Sequence, residues 1–206
     1  MKKRAFFGLG NPGSEYALTR HNAGYRVVQA LAAHLGASSF SVGRYALASQ
    51  HTWRGVQWYF FLPTTYMNLS GDAVAYWREK LSLELSELIV VADEIQLPVG
   101  AMRLTPKGSH GGHNGLAHII ERLGSENFPR LRIGIGKDFP KGRQSEYVLS
   151  PFTPEQENAF ESLIPHAIEC LKRWAIEGID LAMNFCNRRQ PSTSSLSSTG
   201  KDSEIK

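Results

Sequence analysis

Cysteine is scarce: the 206 residues hold two, Cys170 and Cys186, with no C-x-x-C spacing. That pattern argues against a thiolate metal centre and a dithiol redox site. Both cysteines fall in apolar helical patterns near the C-terminus, where free, buried thiols are expected rather than a disulfide. Long apolar runs are also missing. No stretch approaches the roughly 20 residues of a membrane span. The run Ala5-Phe6-Phe7 behind the basic start Met1-Lys2-Lys3-Arg4 is too short for a signal peptide. The expectation is a soluble cytoplasmic protein with no membrane partner. An acidic excess is absent as well. The formal charge of +4 is modestly basic and favours a polyanionic partner through the field that attracts phosphates. Aromatic residues are barely interleaved with the basic ones, so stacking of bases along a single strand is not indicated.

Apolar residues make up 42% of the chain, enough for a core, and their spacing outlines alternating elements. Ala5–Leu9 reads as a buried strand stopped by the turn Asn11-Pro12-Gly13. Val27, Val28, Leu31, Ala32 and Leu35 recur at helical spacing before Gly36. Tyr45–Trp53 and Gln57–Leu62 read as a hairpin turning at Arg54-Gly55. A helix is predicted over Ser70–Leu81, a central strand over Leu88–Ala92 ending at Asp93-Glu94, and a strand over Ala101–Leu104. Leu116–Leu123 reads as helix, Leu131–Ile135 as strand, and Pro154–Trp174 and Ile179–Asn187 as helices. No internal repeat is evident. The sum is one α/β domain over 1–190, a mixed central sheet with helices on both faces. Residues 191–206 are rich in serine with little to bury, and read as a disordered tail.

Four short segments carry chemistry: Gly8-Leu9-Gly10-Asn11-Pro12-Gly13, Thr19-Arg20-His21-Asn22, Met67-Asn68-Leu69-Ser70-Gly71 and Gly111-Gly112-His113-Asn114-Gly115. Each sets asparagine or histidine beside glycine or in a loop. Asparagine offers a neutral donor and acceptor, and histidine moves protons near neutral pH. Together they point to one cleft built from several loops, suited to proton-transfer hydrolysis of a large polar substrate. A carboxylate at the end of a buried strand, Asp93, can hold one nitrogen of His21 and leave the other to take a proton from water. The first segment matches G-x-G-x-x-G, but the region about 20 residues on is helical and lacks the acid of a dinucleotide site. His110 and His113, with His21, could form a metal site. Their spacing in a glycine loop departs from the helical zinc-hydrolase pattern, and no metal or other cofactor is expected. In bland structural readings, Asn114 caps the helix that follows it and Asn68 or Ser70 caps the helix over Ser70–Leu81. Arg103, Lys107, Arg130, Arg132, Lys137, Lys141 and Arg143 crowd into one stretch and make a phosphate patch if they share a face.

The ordered set of segments resembles the bacterial peptidyl-tRNA hydrolase family. The four above are joined by Tyr16, Pro63-Thr64-Thr65-Tyr66, Leu97-Pro98, Lys107-Gly108-Ser109 and Arg132-Ile133-Gly134-Ile135-Gly136. The match spans nearly everything up to Phe152. The resemblance implies a monomeric, metal-free α/β esterase acting on peptidyl-tRNA that has left the ribosome early. It implies His21 as general base, Asp93 as its orienting carboxylate, and Asn11 beside the scissile ester. Asn68 and Asn114 would hold the tRNA 3′ end, with Asn114 or Asn11 donating to the oxyanion. Tyr16, Tyr66, Met67 and His113 would line the cleft, and Arg103 and Lys107 would meet acceptor-stem phosphates. The competing readings are an RNA-binding protein without catalysis and a metal-dependent hydrolase.

Overall fold

A computed structural model describes residues 1–188. The segment 191–206 lies outside the described residues. Seven strands form one mixed sheet in the order β2-β3-β4-β1-β5-β7-β6. They are β1 (Lys2–Gly8), β2 (Ser41–Val42), β3 (Ala46–Trp53), β4 (Val56–Pro63), β5 (Leu88–Glu94), β6 (Met102–Thr105) and β7 (Arg130–Gly134). β1 runs parallel to β4 and β5, and β5 parallel to β7. The two flanks, β3 on β4 and β6 on β7, are antiparallel. The β3–β4 hairpin turns at Arg54 and Gly55, both at positive φ (48° and 73°), as the favoured two-residue hairpin loop requires.

Strands buried on both faces read as continuous apolar runs, and β5 (Leu-Ile-Val-Val-Ala-Asp-Glu) is buried up to Asp93. Successive side chains of each strand feed opposite layers. Phe6, Ile89 and Val91 join one core with α1 (Ala23–His34), α5 (Pro154–Glu177) and α6 (Ile179–Cys186). Phe7, Val90 and Ala92 join the other with α2 (Ser70–Leu81) and α3 (Asn114–Leu123). Phe6 stacks on Trp58 at 5.2 Å and meets Trp174 edge-on at 5.3 Å; such pairs contribute about 0.5–1.5 kcal/mol each beyond their buried area. α1 lies tight on the sheet because Gly24 lacks a side chain, and a Cβ there would overlap the carbonyl of Val91.

Three details differ from the sequence reading. Cys170 and Cys186 are disulfide-bonded rather than free, because the α5–α6 turn brings their Cα atoms to 5.4 Å. A short helix, α4 (Gln144–Val148), had no periodic signal. Arg130 is completely buried, its guanidinium bonded to the carbonyls of Ser109 and Glu126, and so is absent from any surface patch.

From β1 the chain crosses to the edge strand β2, returns through β3 and β4 to lie beside β1, and then passes to the other side of β1 at β5. Ligands of open α/β sheets bind at the carboxyl ends of strands where the order reverses. The segments after β1 and β4 carry Asn11 with His21 and Met67 with Asn68, and the carboxyl end of β5 carries Asp93 with Glu94.

Candidate active site

His21 sits in a 3₁₀ turn, Arg20–Asn22, between β1 and α1. Its neighbours fix that turn on both sides. Arg20, 5% exposed, donates to Ser150 Oγ and to the carbonyls of Ser150 and Tyr147, and places its guanidinium 4.1 Å from the Tyr147 ring centroid. Its other terminal nitrogen donates to Gln156 Oε1 over 2.7 Å. Asn22 accepts from the Asn11 amide at 2.9 Å and donates to the Asn11 carbonyl at 3.0 Å. The turn that holds His21 is thereby joined to the loop that holds Asn11. Sequence reasoning singled out neither function for Arg20 and Asn22; a basic and an amide residue beside a candidate histidine were the available signal.

Asp93, the penultimate residue of β5, is 4% exposed and lies between two imidazoles. His21 Nδ1 lies 3.0 and 2.9 Å from its two carboxylate oxygens. His113 Nε2 lies 2.8 Å from Oδ1. The His113 tautomer follows from its other nitrogen. Nδ1 accepts the Leu116 amide at 3.2 Å, capping α3, so Nε2 carries the proton and donates to Asp93. The cap was expected from Asn114. It is His113 instead, because the helix starts at Asn114 itself, one residue earlier than that role requires. Burial opposes ionisation of Asp93, but its electrostatic interactions and hydrogen bonds with His21 and His113 outweigh it and hold the carboxyl well below the usual range. Burial likewise lowers the His21 pKa, and the Asp93 charge and hydrogen bond overcome it, leaving His21 above the ordinary histidine value. With Nδ1 committed to Asp93, His21 Nε2 has no partner among the described residues.

A cleft opens over this dyad, lined by His21, Asp93, His113 and Asn114, and walled by Ile95 and by Val148 of α4. Asn114 is exposed at the first turn of α3. Asn11 is 7% exposed and lies apart from the cleft lining. Its Oδ1 accepts the Met67 amide at 2.7 Å, which leaves the Nδ2 donor for another group. Asn68 and Tyr66 are exposed and Tyr16 is half-buried, all beyond the immediate cleft lining. Met67 does not line the cleft: it is 5% exposed in the α2–α3 core. Neither Asn68 nor Ser70 caps α2. Arg103 and Lys107 are exposed on and just after β6, and Arg103 pairs across the strands with Arg132. Arg132 is tied to Glu94 at 3.4 Å and to the Ser109 carbonyl.

Among the described residues, His21, Asp93 and His113 form the one cluster with metal-ligand atoms within 4.8 Å of one another. The donor set fits a cation poorly. A metal-bound histidine normally donates its second nitrogen, whereas His113 Nδ1 is already an acceptor from Leu116. His110, the third histidine of the metal reading, is outside the cluster and accepts from the Gly112 amide. No helix among the described residues is long and apolar enough to cross a membrane.

A mixed α/β sheet with a histidine–carboxylate pair in a cleft at its switch point is the arrangement of an α/β enzyme that moves protons. The peptidyl-tRNA hydrolase family model matches residues 5–194. A peptidyl-tRNA hydrolase of Salinibacter ruber is 49% identical over 180 residues, covering 87% of this chain and 95% of that protein. That of Porphyromonas gingivalis is 44% identical over 185 residues, covering 90% and 100%. The crystal structure of peptidyl-tRNA hydrolase from Acinetobacter baumannii superposes with a TM-score of 0.87 at 35% identity, over 92% of this chain and 96% of that one. The chain belongs to the peptidyl-tRNA hydrolase family.

Proposed function

We propose that the protein hydrolyses the ester joining a peptide to the terminal ribose of tRNA, on peptidyl-tRNA released prematurely from ribosomes, with His21 as general base. It acts as a cytoplasmic monomer without a metal. The observation that carries this reading is the commitment of His21 Nδ1 to an ionised Asp93, which leaves Nε2 as a free base in a cleft-lining residue. Nε2 takes a proton from water, and the resulting hydroxide adds to the ester carbonyl carbon. The tetrahedral intermediate collapses, and the departing ribose oxygen receives the proton back from His21. Asp93 stays ionised throughout and stabilises the imidazolium between the two transfers. His113 holds the second side of Asp93 in place.

General-base help is worth roughly 100- to 10,000-fold. An oxyanion donor is worth about 100- to 1,000-fold. Asn114 supplies that donor, aided by the positive end of the α3 dipole. Asn11 Nδ2 contacts the substrate near the ester, and Asn68 holds the tRNA 3′ end with Tyr16 and Tyr66. Arg103 and Lys107 meet acceptor-stem phosphates. Neutral amides suit a substrate held through ribose hydroxyls and peptide backbone, which carry no side-chain identity, so many peptides are tolerated. A free α-amine is charged near neutral pH and is poorly accommodated where a blocked, neutral one is accepted.

The test is acyl release from N-acetylated aminoacyl-tRNA and its unblocked counterpart, with enzyme pre-treated with chelator. Rapid cleavage of the blocked substrate alone is expected. Cleavage of neither overturns the assignment, and activity restored only by added zinc would substitute the metal-dependent reading.

A further inference from the structure

The amino end of α2 has no capping side chain of its own. Leu69 occupies the cap position and offers nothing to the free amides. The Ser70 amide and hydroxyl both turn back to the Met67 carbonyl. The next amide, that of Gly71, donates to His118 Nδ1 at 3.0 Å, from a helix 47 residues further along the chain. An acceptor at this position normally comes from within the helix's own first turn. Here it comes from α3, the helix that also begins with the site residues His113 and Asn114.

The packing around this bond leaves little slack. A Cβ on Gly71 would overlap the His118 carbonyl, and one on Gly115 would come within 2.6 Å of Met67 Sδ. The Met67 amide in turn donates to Asn11 Oδ1 at 2.7 Å. Residues 67–71 are therefore held at one end by Asn11 and at the other by His118. Asn68 lies between these anchors, exposed, its side chain without a hydrogen bond among the described residues. Any movement of α2 along α3 shifts Met67, and with it the Oδ1 bond that aims the Asn11 amide.

We infer that His118 is a positioning residue: by anchoring α2 to α3 it sets where Asn68 and Asn11 meet the substrate. This rests on the proposed roles of those two asparagines. His118 is absent from the cleft lining and from the hydrogen bonds of Asp93, so its effect falls on substrate binding and leaves proton transfer alone. The interaction needs an acceptor, not an imidazole. Asparagine carries an oxygen at the same distance along the side chain as Nδ1, whereas phenylalanine keeps the ring and loses the acceptor.

The experiment compares wild type, His118→Phe and His118→Asn by steady-state kinetics on N-acetylated aminoacyl-tRNA and by hydrogen exchange at residues 67–71. Loss of a cap of ordinary strength predicts for His118→Phe a KM raised about threefold to tenfold, kcat within about twofold, and an unmoved acid limb of the pH profile. The Gly71 amide exchanges faster in that variant, and His118→Asn restores both exchange and KM. Wild-type KM in His118→Phe, a loss confined to kcat, or no recovery in His118→Asn would overturn the inference. Absent turnover in wild type would contradict the proposed reaction instead. Gly71 exchange needs no substrate, and a rate unchanged in His118→Phe would by itself remove the anchor.

Discussion

His113 donates its Nε2–H to the Asp93 oxygen 2.8 Å away, on the carboxylate that also holds His21. The two imidazoles compete for one charge. In the free enzyme, His21 must lose its proton to act as base, and Asp93 raises the pH at which it does so. The acid limb of kcat/KM is therefore expected above the ordinary histidine value of about 6.5. Asp93→Asn removes the raising influence, leaves burial, and moves the limb to lower pH. His113→Ala withdraws a donor from Asp93, strengthens the carboxylate's hold on His21, and moves the limb to higher pH. Shifts in the same direction, read from pH–rate profiles, would refute the shared-carboxylate arrangement.

Lys107 is exposed beyond β6, and Arg130, though near in sequence, is buried. Lys107→Ala is expected to weaken tRNA binding and to reduce the slope of log K against log salt by about one, with kcat unchanged. A slope equal to that of wild type in filter-binding titrations would exclude Lys107 from phosphate contact.

Arg20 holds Ser150, Tyr147 and Gln156 from beside His21. Each hydrogen bond from a charged donor is worth about 1.5–3 kcal/mol net, and its partners cannot all find water. Arg20→Met should cost on the order of 3 kcal/mol in denaturant unfolding and lower turnover by loosening the His21 turn. A loss below about 1 kcal/mol would show that the aromatic packing alone holds the turn.

The disulfide joins residues 16 apart. Closing a loop of about 15 residues stabilises a fold by roughly 3 kcal/mol. Cys186→Ser should lower the unfolding midpoint accordingly and leave turnover near wild type, since no residue of α6 lines the cleft. An unchanged midpoint would mean that the cysteines are reduced in solution.

Much of the fold was legible because its strands and long helices carry strong periods: Leu88–Ala92 could hardly be placed elsewhere than inside a sheet, and Val27, Val28, Leu31 and Ala32 are all buried as their spacing implied. The candidacy of His21 and Asp93 was legible from a carboxylate at a strand end and a histidine in a loop. What escaped depended on contacts across the chain. The His113 tautomer depends on where α3 begins. The Gly71 cap depends on a residue in another helix. Arg20 finds its partners on the segment 147–156, and the cysteine pair forms only once α5 and α6 fold back on each other. α4 escaped because five residues, mostly polar, show no period.

The central claim is that His21 is the base. The most direct measurement is single-turnover hydrolysis of N-acetylated aminoacyl-tRNA by His21→Ala, with tRNA affinity determined on the same preparation. Turnover reduced about 100- to 10,000-fold with affinity within a few-fold of wild type is the expected result. Turnover near wild type would contradict the assignment, and would move the search for the base away from the Asp93 pair.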